Sequence, residues 1–247
     1  MIIKEIRAKT ILSASKIYDY VINPYVGCEH GCSYCYARYI KKFTGHYEPW
    51  GGFVDVKVNA PELLKKEILK KKKAMVWISG LCDPYQPPEA HYELTRQCLE
   101  VLAFYDWPVS IQTRSALVLR DLDMMNKFSE LQAGFSIPTA DDSVRMIFEP
   151  HATPVGDRIS ALEELHRHGI TTYAMIAPVL PGAENLVSLL AGKVDHILVD
   201  RMNYRYAEGI YKKHGLESKM TDDYFAETGM LISEQCRKAG IACRVVF

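Results

Sequence analysis

The chain has 247 residues, 30 Lys and Arg against 30 Asp and Glu, and 48% hydrophobic residues. Zero net charge excludes a protein drawn to nucleic acid by its global field and leaves that role to local patches only. No apolar run approaches the roughly 18 residues of a membrane span, and length with apolar share predicts one domain over 1–247, with its core over about 20–200 and a C-terminal extension over about 201–247.

The chain opens Met1-Ile-Ile-Lys-Glu5, without the apolar stretch of a signal peptide, so a cytoplasmic protein with reduced cysteines is expected. Residues 21–27 form a short strand. Pro61–Lys73 is a helix, with Asn59 as its cap and Pro61 near its first turn. The compact apolar run Ala74–Ser79 is a strand. Glu89–Phe104 is a helix with Leu94, Cys98, Leu99 and Leu102 on one face. Then follow a strand over Val109–Thr113, a short helix over Asp121–Phe128 and a strand over Ala133–Ile137. The helix Gly156–His168 stops at Gly169. A strand over Ile170–Ala177 ends at Pro178 and Pro181. A helix over Leu186–Ala191, a strand over His196–Asp200, a helix over about Asp223–Ala239 and a strand over Ala242–Val246 complete the pattern.

Alternation of this kind implies parallel strands joined by crossover helices. About six strand–helix units are too few for the eight of a closed barrel. The expected fold class is therefore α/β, a partial (β/α)6 barrel with a C-terminal helix and strand. Ligands gather at the carboxyl ends of such strands. That rule selects residues 28–35, 79–83, 112–115, 136–139, 177–181 and 200–203 as facing the site.

The first of these segments reads Cys28-Glu-His-Gly-Cys32-Ser-Tyr-Cys35. Three thiolates so close on one loop can hold three irons of a cubane iron–sulfur cluster and leave the fourth iron open to a small molecule. Tetrahedral zinc is the competing reading, with His30 as the fourth ligand, but His30 lies cramped between two of the thiolates. A disulfide fits poorly with an odd cysteine count.

CxxxCx-aromatic-C, with Tyr34 before the third cysteine, is the signature of the radical SAM superfamily, which this loop resembles without departure. Within the superfamily the chain is similar to the spore photoproduct lyase-related group, also called DNA repair photolyase-like. The stretches that carry the likeness are Asn23–Cys28, Cys82–Pro88, Thr95-Arg96, Gln112–Ser115, Phe135–Ile137, Glu149–Pro154 with Arg158, and Ala177-Pro178.

The resemblance implies a [4Fe–4S] cluster on Cys28, Cys32 and Cys35, and S-adenosylmethionine (SAM) chelating the open iron. It implies that Cys82, Arg114 and Ser136 hold the methionyl end of SAM, with Tyr34 and Tyr36 approaching adenine. A guanidinium at 114 suits a carboxylate, although many relatives carry lysine there, and Cys82 stands where the group has serine. The lyase's hydrogen-returning cysteine corresponds to Gly80 here, with Cys82 two residues on. Cys82 and Tyr36 are the candidate catalytic side chains.

The implied activity is reductive cleavage of SAM to methionine and a 5′-deoxyadenosyl radical that abstracts hydrogen from a substrate. A one-electron donor of flavodoxin or ferredoxin type is the implied partner. The substrate is nucleic acid by analogy with the group. Modification of a small molecule or peptide, and a non-enzymatic metal-binding module, are the alternatives.

Other conspicuous residues have plainer readings. The lysines from Lys65 to Lys73 are a solvated helix end. Cys98 is core, and Cys236 and Cys243 are too few for a second cluster. Glu149 and Arg158 read as a helix-capping ion pair that orders a strand-end loop. His46 and His151 read as surface or loop residues. Tyr204 and Tyr206, with Arg201 and Asn203, follow the sixth strand and are placed to line a substrate mouth.

Overall fold

The computed structural model describes residues 1–247. They form two compact units, Met1–Gly31 with Ala37–Ala133, and Cys32–Tyr36 with Gly134–Phe247.

The first unit contains β1 (Ile2–Ile6), β2 (Ser13–Ala14), β3 (Tyr20–Ile22), β4 (Tyr25–Val26), β5 (Phe53–Lys57), β6 (Val76–Ile78) and β7 (Val109–Thr113), and β8 (Leu131–Ser136) begins in it. Strands β2, β3, β6 and β7 lie side by side in that order, antiparallel between β2 and β3 and parallel thereafter. Val76, Ile78, Val109 and Ile111 are buried and, being in register at alternate positions, share one face of the sheet. A small separate sheet sets β5 between β1, which runs parallel to it, and β4, which runs antiparallel. The sequence pattern gave no warning of it.

Helices α1 (Ala60–Glu67), α2 (Glu89–Tyr92), α3 (Leu94–Phe104) and α4 (Leu122–Met125) complete this unit. Three expectations are corrected here. Helix α1 ends at Glu67, with one further turn over Ile68–Lys70, well short of Lys73. Asn59 does not cap it through its side chain. Its amide instead pairs with Ala8, accepting from the Ala8 N–H at 2.8 Å and donating to the Ala8 carbonyl at 2.9 Å. The helix expected over Glu89–Phe104 is two helices. Glu93 breaks it with φ of 50°, and the Glu89 carboxylate accepts from the N–H groups of Thr95 and Arg96 at the start of α3. Helix α3 buries Leu94, Cys98, Leu99, Val101 and Leu102 along one face. Arg96 leaves that face to bond Asp121 and Asp123.

In the second unit β8 continues and is followed by α5 (Asp142–Phe148), α6 (Val155–Arg167), β9 (Thr171–Ile176), α7 (Leu186–Leu190), β10 (His196–Val199), α8 (Glu208–Lys213), α9 (Asp222–Ala239) and β11 (Ala242–Val245). The order is β8, β9, β10, β11, with β9, β10 and β11 parallel and His196 level with both Tyr173 and Ala242. Gly134 is required where it stands, since a Cβ there would lie 2.3 Å from the Tyr173 ring. Helices α5 and α8 were not foreseen. The last helix starts where the Thr221 side chain accepts from the Tyr224 N–H and stops at Gly240, φ 69°. No helix is long and apolar enough to cross a membrane.

Candidate active site

The cysteine loop passes from the first unit to the second between Gly31 and Cys32, and each half has its own support. Gly27 makes the turn into the first half with φ of 85°, and a Cβ there would sit 2.4 Å from the Phe53 carbonyl oxygen, so only glycine fits. Buried Gln86 clamps both sides of Cys28. Its Oε1 accepts from the Glu29 N–H at 2.9 Å and its Nε2 donates to the Gly27 carbonyl at 3.3 Å. The Gly31 N–H closes the turn on the Cys28 carbonyl.

Asp83 is the pivot of this half. Its Oδ2 lies 3.3 Å from His30 Nε2 and accepts from the Arg114 N–H at 2.7 Å, while its Oδ1 accepts from the Thr113 hydroxyl at 2.6 Å and the Tyr85 N–H at 2.9 Å. Burial opposes the charge on Asp83, but His30, through its charge and hydrogen bond, then Thr113 and Arg114, outweigh it and hold the carboxyl near pH 2. Asp83 is thus an anion that ties the cysteine loop to the end of β7. Neither Asp83 nor Gln86 was singled out individually from the sequence. The signals available were the strand-end segment 79–83 for Asp83 and the Cys82–Pro88 stretch for both.

Cys82 packs against Tyr25, Val54, Val56 and Leu94, with its sulfur 3.1 Å from the Ser79 hydroxyl. Burial pushes its thiol up to about 11 against the opposing pull of Ser79, so the sulfur keeps its hydrogen at neutral pH.

The second half rests on α5 and α6. The Ser33 N–H donates to the Phe148 carbonyl at 2.8 Å and the Cys35 N–H to the Cys32 carbonyl at 3.2 Å. Cys32 and Tyr34 are buried in one cluster with Val144, Phe148, Leu180, Ala207 and Tyr211. The Tyr34 hydroxyl donates to Glu149 Oε1. Glu149 Oε2 lies 2.6 Å from Arg158 Nη1, both side chains being 0% exposed. The same guanidinium donates to the Ser136 carbonyl at 2.9 Å and the Thr153 carbonyl at 2.6 Å. Glu149 and Arg158 therefore do order a strand-end loop, but as an interior pair and not as a cap. At the start of helix α6 the Val155 N–H donates instead to Asp142 Oδ1 at 3.0 Å.

Tyr36, the residue after the last cysteine of the loop, stacks on Tyr204 with ring centres 6.1 Å apart and planes 24° apart, and Tyr204 stacks on Tyr206 at 5.8 Å and 10°. These rings are 38%, 50% and 43% exposed. Tyr36, Tyr204 and Tyr206 thus form one run of three stacked rings, which the sequence reading did not contain.

Cys98 is core, as expected. His46 lies in a loop, as expected, and is half-buried there. It stacks on Phe53 and lies between Glu48 and Asp55, 3.1 and 2.8 Å away. All seven cysteines are thiols, none in a disulfide. The donor set of the loop is three soft sulfurs within eight residues, turned by glycine and backed on both sides by buried hydrogen bonds. It fits a cluster bound through three irons.

Comparison with known proteins gives the family. The family model described as the Radical SAM superfamily matches residues 22–185. An uncharacterized protein of Methanocaldococcus jannaschii is 39% identical over 179 residues, 72% of this chain and 67% of its own length. A protein of Pseudomonas phage M6 named radical SAM Nalpha-GlyT isomerase is 28% identical over 220 residues, 83% of this chain and 45% of its own length. The chain spans about half to two thirds of the length of such curated relatives. Among solved structures, spore photoproduct lyase complexed with dinucleoside spore photoproduct superposes with a TM-score of 0.73 at 16% identity, covering 98% of this chain and 81% of that one. A variant of the same lyase with bound AdoMet gives 0.69. The fold is the partial (β/α)6 barrel of that lyase, an α/β class with a parallel sheet.

Proposed function

The chain belongs to the radical SAM superfamily, whose cofactors are a [4Fe–4S] cluster and SAM, and from that premise we propose that it generates a 5′-deoxyadenosyl radical to take hydrogen from a nucleobase-bearing substrate. The cysteine loop carries this reading. When bound, the cluster supplies one electron to the sulfonium of SAM, whose cleavage yields methionine and the radical.

The chain's own residues have these roles in the proposal. Cys28, Cys32 and Cys35 are the metal ligands. The Arg114 guanidinium pairs with the methionyl carboxylate, and Ser136 and Cys82 supply further polar contacts to the methionyl end. Tyr34 and Tyr36 flank the nucleoside. Cys82 keeps its S–H, the state in which a thiol can hand a hydrogen atom to a carbon radical and remain as a sulfur radical. Asp83 and Gln86 fix the loop carrying Cys28. The electron comes from a one-electron donor protein of flavodoxin or ferredoxin type.

The substrate class rests on the exposed stack of Tyr36, Tyr204 and Tyr206. Around it stand Arg201, paired with Asp222 at 2.7 Å, Arg205, 3.8 Å from Glu208, and the lysines Lys212 and Lys213. Aromatic faces beside cations suit unpaired bases on an anionic backbone, at about 1–3 kcal/mol per stacked base. Two variants test both halves of the proposal. Arg114→Ala is expected to weaken SAM binding about tenfold while keeping iron and single-stranded oligonucleotide binding. Tyr204→Ala with Tyr206→Ala is expected to lose oligonucleotide affinity and keep SAM. Unchanged SAM affinity in Arg114→Ala removes that residue's role. Salt-independent or absent oligonucleotide binding by the unaltered protein favours a small molecule or peptide substrate instead.

A further inference from the structure

The pair Glu149–Arg158 is more than a filler of the second unit. Burying a carboxylate and a guanidinium strips both of their hydration, and apolar residues of similar volume often do as well for stability. What this pair adds is connection. Glu149 receives the hydroxyl of Tyr34 from within the cysteine loop, and Arg158 grips the backbone carbonyl of Ser136 at the end of β8 and that of Thr153 before α6. The planar guanidinium fixes direction as well as distance. Three segments far apart in sequence, 32–36, 136 and 149–153, are thereby held by one buried ion pair. Its neighbours bar easy rearrangement, since Phe148 bonds Ser33 through its carbonyl and packs with Cys32 and Tyr34.

We infer that Glu149 and Arg158 are positioning residues that, through the Tyr34 hydroxyl and the Ser136 carbonyl, set the cysteine segment 32–36 in register with the end of β8, so that SAM affinity depends on the pair while cluster retention does not. The SAM half of this inference rests on the radical SAM reading. The register half concerns the protein alone. Tyr34 thus contributes its hydroxyl to the scaffold, whichever face of its ring a nucleoside meets.

Tyr34→Phe removes one hydroxyl and keeps the ring, and Glu149→Gln keeps the shape and removes the charge. In the metal-free proteins, hydrogen exchange of the Ser33, Cys35 and Ile137 amides is expected to quicken together in each variant, with other amides of β9 and β10 unchanged. After anaerobic reconstitution each variant is expected to hold as much iron as the unaltered protein, to bind SAM about tenfold more weakly and to show a smaller change of the electron paramagnetic resonance (EPR) spectrum on adding SAM. The two substitutions combined are expected to weaken SAM no more than either alone.

Equal SAM affinity and an equal spectral change in Tyr34→Phe would overturn the inference, as would loss of iron from that variant or exchange that quickens at Ser33 and Cys35 but not at Ile137. If the unaltered protein takes up neither iron nor SAM, the radical SAM reading and the SAM half fall together, and the exchange of the metal-free proteins still decides the register half.

Discussion

Replacing Cys32 with alanine is expected to stop 5′-deoxyadenosine formation entirely while leaving the fold in place. Cys32 is 4% exposed and packs beside Val144, Phe148 and Leu180. Alanine keeps the Cβ and the backbone, whose carbonyl accepts from the Cys35 N–H. What is lost is one small sulfur, and a core truncation of that size costs on the order of 1 kcal/mol. The proposed ligand set loses a third of its members, and two thiolates do not retain a cubane that needs three from the protein. Thermal unfolding within a few degrees of the unaltered protein, with nucleoside product at background, is the expected pair of results. Undiminished product from this variant would remove Cys32 from the ligand set.

Arg158→Met is expected to destabilise the chain by about 3–5 kcal/mol, the usual consequence of leaving one member of a buried ion pair without its partner. The side chains of Arg158 and Glu149 are both wholly buried, so water cannot replace the guanidinium beside the carboxylate. The Ser136 and Thr153 carbonyls lose a donor in the same step. Urea unfolding measures the effect. Adding Glu149→Met to Arg158→Met removes the stranded charge and is expected to recover part of the loss, although the Tyr34 hydroxyl then lacks its acceptor. A cost below about 1 kcal/mol for Arg158→Met would show that the pair contributes little to stability. If stability returns in the double variant and SAM affinity does not, stability and positioning are separate functions of the same pair.

Much of this was legible in the chain because the informative signals are local. Three cysteines at fixed spacing need no tertiary context to suggest a metal, and the apolar runs at 76–78, 109–113, 171–176 and 196–199 announce parallel strands by composition. What escaped notice depends on partners far away in sequence. Strand β1 reads Ile-Ile-Lys-Glu-Ile, is mostly exposed and exists because Phe53–Lys57 pairs with it some fifty residues later. The break at Glu93 comes with a carboxylate at Glu89 receiving the N–H groups of a later helix, which helical periodicity cannot register. Asn59 has the right residue type for a cap, yet its amide found Ala8. In the site, the proposed ligands are readable by type, while their supports are not. Asp83 and Gln86 matter through contacts to His30 and Glu29, residues more than fifty positions away. Glu149 and Arg158 stand out in the sequence, but only the fold brings Tyr34 to them.

The central claim is that the loop from Cys28 to Cys35 holds an iron–sulfur cluster with one iron open to SAM. Iron and sulfide analysis of anaerobically reconstituted protein, joined to EPR of the reduced sample with and without SAM, tests it most directly. About four irons and four sulfides per chain, with a spectrum that shifts when SAM is added, are the results predicted. One zinc without sulfide, or a cluster whose spectrum ignores SAM, would contradict it.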